Sequence, residues 1–521
     1  MNGSLIYALQ DSRLYDHEVE SFSVIETHIS WVILTGHYAY KIKKPVNFGF
    51  LDFSTLDKRH YFCQQELELN RRFAPDLYLS VVAIGGTPRA PRFGVEPAIE
   101  YALKMREFRQ HALMSVMAAN DELTVEHGRE IASVLAAFHR DAQSVDQNNP
   151  FGEPETIIHW VDDNFKQIEP LLDCDHDKQR LAELQQWSQA ASQSLSPMMA
   201  VRKQQGFVRD CHGDLHLGNI AYINKHVVFF DCIEFSQELR FIDVLNEVSF
   251  VAMDLKERGY AALSWLFLNH YLQITGDYSS LSLYRYYYVY RALVRAKVVM
   301  LLANEDDVAE EKKQSAQQDY RTYIDLARRE TNDQKAGIVL MHGFSGCGKS
   351  TVAERLASTM GAIHIRSDIE RKRMFDLKVS EKSYSELNQG IYSRQASSDV
   401  YERMAGLAEF VIACGYSVIV DATFLKSSQR EHFRSLARRL SCAFQLVSVE
   451  APVNLMKQRI SVRKEKEADP SEADEMVLLH QLDHFDSLTD EEQAYTSVID
   501  NSDWVSDKVL LQLAKTIHKG I

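Results

Sequence analysis

The sequence predicts two domains of different fold class, an α+β domain followed by an α/β domain with a parallel sheet. Apolar residues alternate along several segments of the first hundred residues, which is typical of strands, and helical spacing dominates from about residue 106. From Gly337 onward, short apolar runs alternate with helical segments, as in a parallel sheet with crossover helices. A chain of 521 residues is also too long for one ordinary hydrophobic core.

A short polar segment separates the two patterns. Residues 331–336, with the sequence TNDQKA, are predicted to link a first domain of residues 1–330 to a second domain of residues 337–521. The two halves do not resemble each other, and the chain shows no internal repeat. Two separate functional units are therefore expected.

The elements of the first domain follow from local periodicity. Residues 23–34 and 37–43 alternate around Thr35-Gly36, which predicts a β-hairpin. The other predicted elements are a helix over 54–73, a strand over 101–105, a helix over 126–141, strands over 220–223 and 227–230, and helices over 284–302 and 309–329. In the second domain, strands are predicted over 338–341, 417–420 and 444–449, and an amphipathic helix over 350–358.

The clearest motif is GFSGCGKS from Gly343 to Ser350, which matches the phosphate-binding pattern G-x-x-x-x-G-K-[ST]. Glycines let successive backbone N–H groups face an anion, and the following helix adds the positive end of its dipole. Lys349 can reach the β- and γ-phosphates, and the Ser350 hydroxyl can bind Mg²⁺. The flanking strand and helix favour this interpretation over a chance glycine-rich turn. The predicted nucleotide-binding residues are Gly343, Ser345, Gly346, Gly348, Lys349, Ser350 and Thr351.

Two acidic residues near this loop are candidates for catalysis. Asp421 ends an apolar strand and can hold the water shell of Mg²⁺ or orient the attacking group, with a helix cap as the alternative. Asp368 and Arg371 follow a short β-like segment, where the acid can accept the proton of a substrate hydroxyl and the arginine can bind a substrate anion. The alternative for Asp368 is a helix N-cap.

Two arginines lie four residues apart on one face of a predicted helix, Arg459 and Arg463. Such arginines can close over transferring phosphates as lid residues, and a charged surface face is the alternative.

From Gly337 to its end, the chain resembles the P-loop nucleotide-kinase-like family, which includes gluconate-, shikimate-, polynucleotide- and zeta-toxin-like kinases. The resemblance implies ATP and Mg²⁺ at residues 343–350, substrate contacts at Asp368 and Arg371, and lid arginines at Arg459 and Arg463. The family is broad and leaves the substrate open.

A second cluster, CHGDLHLGN, places Asp214 and Asn219 five residues apart, as in a kinase catalytic loop H-x-D-x-x-x-x-N. Asp214 can accept the proton of an acceptor hydroxyl, and Asn219 can turn back to bind Mg²⁺. After a predicted hairpin comes Asp231, a second metal-binding carboxylate. The alternatives are an ordinary turn with structural histidines, or a transition-metal site formed by His212, Asp214 and His216.

The N-terminal strands are expected to supply a lysine for the phosphates of ATP. Lys41 and Lys43 point to the same face of a strand, and Glu66 in the following helix is a suitable ion-pair partner. Either lysine could bind the α- and β-phosphates, and Lys41 is preferred because it directly follows Ala39-Tyr40 within the alternating strand. Residues 101–108 would be the hinge strand against adenine, and the tyrosine-rich helix 284–297 would either line a substrate cleft or pack within its domain.

Residues 20–300 resemble the aminoglycoside-phosphotransferase and choline-kinase-like family, on the His-Gly-Asp-Leu-His and Phe-Asp-x-Ile-Glu signatures. The resemblance implies a bilobal, protein-kinase-like fold with an N-lobe of about residues 1–105 and a C-lobe of about 106–330. It also implies that Asp214 is the base, that Asn219 and Asp231 hold Mg²⁺, and that Lys41 with Glu66 positions ATP. The chain departs from protein kinases in having Asp-Cys-Ile for D-F-G, no A-P-E segment and no G-x-G-x-x-G loop near Gly36.

As a whole, the chain resembles bacterial proteins known as bifunctional aminoglycoside phosphotransferase-like/ATP-binding proteins. The implied function is a bifunctional, Mg²⁺-dependent ATP phosphotransferase acting on hydroxyls of small molecules. The alternatives are one kinase domain with a nucleotide-binding regulatory module, or a P-loop domain acting on a nucleic-acid end. A net charge of −15 disfavours nucleic acid and anionic membranes as partners. Scattered cysteines, and the lack of an export signal or a long apolar run, predict a cytoplasmic protein.

Overall fold

The computed structural model describes residues 2–49, 51–304, 309–332, 335–379, 381–383, 389–466 and 471–520. The chain divides into two compact units. The first contains Met1–Glu130, Ala137–Cys174 and Ser188–Asp254, and the second contains Ile131–Ala136, Asp175–Trp187 and Leu255–Ile521. Residues 333–334 of the predicted linker lie outside the described residues.

The first unit begins with a six-stranded antiparallel sheet in the order β1-β2-β3-β6-β4-β5. Its strands are β1 (Ser23–Glu26), β2 (Ser30–Leu34), β3 (Tyr38–Lys43), β4 (Tyr78–Thr87), β5 (Ala90–Phe93) and β6 (Ala98–Arg106). Helix α2 (Leu56–Asn70) packs against β4 and β6, and the Thr55 hydroxyl caps its first turn. This packing lays α2 against the sheet.

Two short antiparallel strand pairs follow, and the segment that contains Asp214 and Asn219 lies between strands of these two pairs. They are formed by β7 (Val208–Asp210) with β10 (Phe241–Asp243), and by β8 (Ile220–Ile223) with β9 (His226–Phe229). The helices of this part of the chain are α1 (Asn2–Ala8), α3 (Met114–Ala119), α4 (Val125–Asp141), α5 (Pro154–Ile168), α6 (Asp175–Gln204), α7 (Gln237–Arg240) and α8 (Val244–Glu257). Helices α4, α6 and α8 contribute residues to both compact units.

The second unit is built on a five-stranded sheet in the order β12-β13-β11-β14-β15, in which every neighbouring pair is parallel. Its strands are β11 (Gly337–His342), β12 (Ile363–Arg366), β13 (Val418–Asp421), β14 (Ala443–Glu450) and β15 (Thr496–Asp500). All residues of β11 and β13 are buried, as expected for the centre of a parallel sheet covered on both faces.

The helices of the second unit include three that precede the sheet along the chain. They are α9 (Ala261–Thr275), α10 (Leu281–Ala303) and α11 (Glu310–Thr331). The later helices are α12 (Lys349–Met360), α13 (Ser367–Met374), α14 (Arg394–Ala413), α15 (Ser427–Arg439), α16 (Val453–Lys466), α17 (Glu475–Asp483), α18 (Asp490–Gln493) and α19 (Asp507–Gly520). No helix within the described ranges combines the length and the apolar character needed to cross a bilayer.

The predicted fold class is confirmed, since an α+β arrangement precedes a parallel α/β sheet. The segment 23–34 differs from the prediction, because Thr27–Ser30 hydrogen bonds turn the chain and divide the segment into β1 and β2. The tyrosine-rich helix packs within its unit, with Tyr284, Tyr286, Tyr287 and Tyr288 buried. The compact units also differ from the predicted division, since α9–α11 group with the parallel sheet.

Candidate active sites

A buried ion-pair cluster joins the N-terminal sheet to the segment after β9. Lys41 Nζ lies 2.7 Å from Glu66 Oε1 and also contacts Asp231 Oδ1. Asp231 adopts a left-handed backbone conformation with φ 63°, and its N–H donates to the Tyr78 hydroxyl at 3.0 Å. The structure thus brings together three residues that are distant in sequence and that the motif analysis selected.

Lys43 belongs to the same cluster and also contacts Glu66, the ion-pair partner considered for both lysines from the sequence. Its Nζ lies 2.6 Å from Glu66 Oε2 and contacts Glu234 Oε1, and its side chain is only 1% exposed. Because Glu66 accepts from both lysines, its carboxylate is fixed on both oxygens. Of the two lysines, Lys41 contacts Asp231 and Lys43 contacts Glu234.

Charge pairing outweighs burial for Lys41 and Glu66, whereas burial is the larger effect for Glu234 and raises its pKa. Burial by itself would lower the pKa of Lys41, but the carboxylates of Asp231 and Glu66 raise it well above its ordinary value. Burial would raise the pKa of Glu66, but Lys41 and Lys43 lower it to about 2. The lysines and Glu66 are therefore charged at neutral pH.

Replacing Lys43 with methionine is expected to destabilise the first unit strongly. The substitution leaves Glu234 and one oxygen of Glu66 buried without a cation, and breaking a buried pair in this way costs about 3–5 kcal/mol. The measurement is the protection of β2, β3 and β6 amides in native-state hydrogen exchange. The control Lys44→Met removes a pair with Glu26, whose side chain is 64% exposed, and should cost below about 1 kcal/mol. Equal losses in the two variants would contradict the prediction.

The second motif forms a compact turn between β7 and β8. Asn219 Nδ2 donates to the Asp214 carbonyl at 2.9 Å and to Asp214 Oδ2 at 3.3 Å. Phe230 N donates to the Asn219 carbonyl at 3.1 Å, so Asn219 and Asp231 flank the same end of the β8–β9 hairpin. The Asp214 side chain is 41% exposed, as an acid that meets a substrate requires.

A buried pair below this turn went unnoticed in the sequence. Glu247 on α8 accepts from Gly213 N at 2.7 Å and lies 3.0 Å from His139 Nε2. Burial would raise the pKa of Glu247, but the bond to His139 outweighs it and lowers the pKa. The sequence around each residue does not predict this contact, because α4, α8 and the turn are adjacent only in the folded unit.

The alternative metal site of His212, Asp214 and His216 is not supported by the geometry. His212 uses Nε2 on the Phe230 carbonyl at 2.8 Å and Nδ1 on the Asp214 N–H at 3.4 Å. His216 Nδ1 accepts from Gly218 N. Among the described residues, His139, Cys211 and Glu247 do converge within 4.8 Å. Burial raises the pKa of the Cys211 thiol well above its ordinary value, and His139 and Glu247 are hydrogen-bonded to each other at 3.0 Å.

The phosphate loop of the second unit has the geometry that its glycines require. Gly343, Gly346 and Gly348 have φ values of 140°, 81° and 93°, a region that residues with a Cβ rarely adopt. A Cβ at Gly346 would lie 2.6 Å from the Met456 carbonyl oxygen, and one at Gly348 would lie 2.1 Å from Asn501 Nδ2. The loop leads directly into α12, which begins at Lys349.

Side chains from later elements hold this loop in place. Asn501 Nδ2 and Arg459 Nη1 both donate to the Cys347 carbonyl, at 2.7 and 3.2 Å. Gln481 on α17 accepts from Ser345 N at 2.9 Å and donates to the Ser345 hydroxyl at 3.0 Å. Arg459 therefore contacts the backbone of the loop, and its role as a lid residue stays a prediction. Asn501 and Gln481 were missed, because isolated amides carry no sequence signal.

Asp421 ends β13 beside β11 and is 4% exposed. His364 Nε2 lies 3.3 Å from Asp421 Oδ2, and Arg366 Nε lies 3.9 Å from the same oxygen. Burial would raise the pKa of Asp421, but His364 and Arg366 outweigh it and lower the pKa. Asp421 is not a helix cap, since α15 begins six residues later at Ser427, so that alternative is wrong.

One cavity of about 600 Å³ joins the phosphate loop to the predicted acceptor residues. Asp368 lies in the first turn of α13, whose N-cap is Arg366, so the N-cap alternative for Asp368 is wrong. Arg371 donates to the Ile391 carbonyl at 2.8 Å. The lining residues include Ser345, Gly346, Gly348, Lys349, Ser350, Thr351, Asp368, Arg371, Tyr392, Tyr401, Asp421, Thr423, Arg459, Arg463, Gln481, Asn501 and Trp504.

Proteins of two mycobacteria are similar to the chain over most of its length. The uncharacterized proteins Rv2004c of Mycobacterium tuberculosis and Mb2027c of Mycobacterium bovis are each 31% identical to it over 443 residues. The alignment covers 84% of this chain and 86% of each relative. The chain belongs to their family. Residues 338–488 of this chain also match the family model described as an AAA domain, and these residues include the phosphate loop. The resemblance of the second half to P-loop proteins is thereby confirmed.

Solved structures are similar to each half of the chain. A gluconokinase from Sinorhizobium meliloti 1021 is 20% identical, with a TM-score of 0.25, and the match covers 36% of this chain and 98% of that one. A choline/ethanolamine kinase family protein from Mesorhizobium loti is 11% identical, with a TM-score of 0.37, and the match covers 63% of this chain and 98% of that one.

Proposed function

We propose that this protein is a bifunctional phosphotransferase in which each site transfers the γ-phosphoryl group of ATP to a hydroxyl of a small molecule. The observation that carries the proposal is the single cavity that holds the phosphate loop at one part and Asp368, Arg371 and Asp421 at another. A phosphate donor and a hydroxyl acceptor can meet there beside an acid. In the first unit, the lysine–carboxylate cluster and the hydrogen bonds between Asn219 and Asp214 support the same chemistry.

In the P-loop site, the backbone of residues 343–348 and the Lys349 ammonium bind the β- and γ-phosphates. Arg459 and Arg463 lie on α16 and line the same cavity, where they neutralise charge on the transferred group. Asp368 accepts the proton of the acceptor hydroxyl, and Arg371 orients the acceptor. Asp421 orients the reacting groups from the end of β13.

In the first unit, Lys41 binds the α- and β-phosphates, and Glu66 holds it in place through the ion pair. Asp214 accepts the proton of the acceptor hydroxyl. Most of the rate enhancement in both sites comes from positioning and charge neutralisation, because phosphoryl transfer needs little covalent chemistry from the protein.

The residues of both sites fit Mg²⁺, which prefers oxygen ligands. Asn219 and Asp231 offer an amide and a carboxylate oxygen at one end of the β8–β9 hairpin, and Ser350 offers a hydroxyl at the start of α12. The Asp231 side chain is 41% exposed, so its carboxylate can reach a ligand. When bound, the ion neutralises charge on the phosphate oxygens.

As functional assignments, a kinase-like domain of residues 1–330, a linker of 331–336 and a P-loop domain of 337–521 are part of this proposal, whereas the compact units divide the chain after Asp254. A cytoplasmic location and a preference for small-molecule acceptors over nucleic acid are also part of this proposal.

The proposal is tested by incubating the full-length protein with MgCl₂, γ-³²P-labelled ATP and a protein-free extract of bacterial metabolites. Chromatography is expected to show labelled phosphate esters. Parallel reactions with α-³²P-labelled ATP should give no labelled ester, because the γ-phosphoryl group alone moves. If the γ-label appears only in inorganic phosphate, or if the α-label enters the products, the proposal is wrong.

A further inference from the structure

Helix α9 covers the edge of the parallel sheet that strand β12 forms. Strand β12 is the first strand of that sheet and has β13 as its strand neighbour. On its other side, Asn269 Nδ2 donates to the Ala362 carbonyl at 2.9 Å, and Asn269 Oδ1 accepts from His364 N at 2.8 Å. One side-chain amide therefore satisfies the backbone groups that a neighbouring strand would otherwise pair with.

Gln273 lies one turn further along α9 and contacts His364. Its Nε2 donates to the His364 carbonyl at 3.2 Å and lies 3.4 Å from His364 Nδ1. An amide NH₂ group only donates, so Nδ1 accepts and the ring proton is on Nε2. His364 Nε2, which carries that proton, lies 3.3 Å from Asp421 Oδ2 and donates to it.

Burial makes this chain of contacts rigid. His364 is 1% exposed, Gln273 is 6% exposed and Asp421 is 4% exposed. Around them, Trp265 of α9 packs against Gly361, and Arg373 of α13 donates to the Gln273 carbonyl. The imidazole therefore has one orientation in which both ring nitrogens are satisfied.

We infer that Gln273 and His364 are positioning residues for Asp421 in the P-loop reaction, an inference that rests on the function proposed above. Gln273 sets the tautomer of His364, and His364 holds Oδ2 of Asp421 by a hydrogen bond. The carboxylate is thus fixed at the wall of the reaction cavity. Neither residue lines that cavity, and Gln273 comes from a segment that the sequence pattern assigns to the other domain.

The test uses full-length protein that carries Asp214→Asn in every arm, so that turnover reports the P-loop site. Turnover is the release of ³²P from γ-labelled Mg²⁺-ATP with water as acceptor, and affinity is the Kd for a fluorescent N-methylanthraniloyl ATP. Replacing His364 with Phe should lower kcat about tenfold to a hundredfold, the usual effect of losing an orienting partner. Gln273→Leu should lower it about fivefold, as expected for one hydrogen bond. The Kd should stay unchanged in both variants.

His364→Gln should recover most of kcat, because its amide can again donate to Asp421. The control Ile274→Ala changes a 39% exposed residue of α9 and should leave both constants unchanged. A normal kcat in folded His364→Phe overturns the inference, as does a joint loss of kcat and nucleotide affinity that His364→Gln fails to restore. If Lys349→Met also leaves turnover intact in this background, the proposed function itself fails.

Discussion

Asp214→Asn should lower turnover at the N-terminal site by about 10²–10⁴-fold, the range that a general base contributes. The amide keeps the shape of the side chain and its contact with Asn219, but it cannot accept the proton of the acceptor hydroxyl. The KM for ATP should change little, since Lys41 and Glu66 are untouched. The measurement is transfer of γ-³²P in protein that carries Lys349→Met, so that the P-loop site is silent.

The matched control is Asp141→Asn. Asp141 pairs with Arg140 on the surface, and both side chains are more than two-thirds exposed, at 68% and 70%. Its replacement should leave turnover unchanged. Full activity in Asp214→Asn would show that another group accepts the proton or that the first unit does not catalyse transfer.

Lys349→Met should lower turnover at the P-loop site by about 10²–10³-fold, as expected when one preorganised charge is removed from a transition state. Lys349 is 8% exposed and its Nζ donates to the Phe344 carbonyl at 2.8 Å, so the ammonium already lies within the loop that is proposed to bind the phosphates. The affinity for ATP should fall as well. The measurement is γ-³²P transfer in an Asp214→Asn background, together with Kd from a fluorescent nucleotide.

Lys457→Met is the control for this experiment. Lys457 lies on α16, is 35% exposed and pairs with Glu475 at 2.7 Å, so it removes the same charge from the same unit outside the cavity. Turnover should be normal. Equal losses in the two variants would point to a general effect of charge and not to phosphate binding.

The phosphate loop could be predicted from sequence because its chemistry is local. Gly343, Gly346 and Gly348 occupy backbone conformations that disfavour side chains, and the flanking strand and helix are strongly periodic. Asp421 was found for a similar reason, since a carboxylate after an apolar run marks the end of a parallel strand. These signals need no knowledge of distant residues.

Contacts between distant segments could not be predicted in this way. Lys43 and Lys41 have the same local pattern, and only the positions of Glu234 and Asp231 in the fold distinguish them. Glu247, Gln481 and Asn501 are single polar residues in helices or at a strand end, where a solvated surface is the ordinary expectation. Strand β15 was missed because its sequence, TSVID, contains only two apolar residues, whereas β11 and β13 are apolar runs that are buried throughout.

The position of Asn269 beside strand β12 limits where a chain with two functional parts can be divided and recombined. The polar segment at residues 331–336 is the obvious place to divide the chain, yet a cut there would leave the P-loop half without helix α9, whose Asn269 pairs with the edge of its sheet. A chimaeric protein that keeps a functional P-loop half would therefore have to include α9–α11. Any other domain would have to be joined before the start of α9.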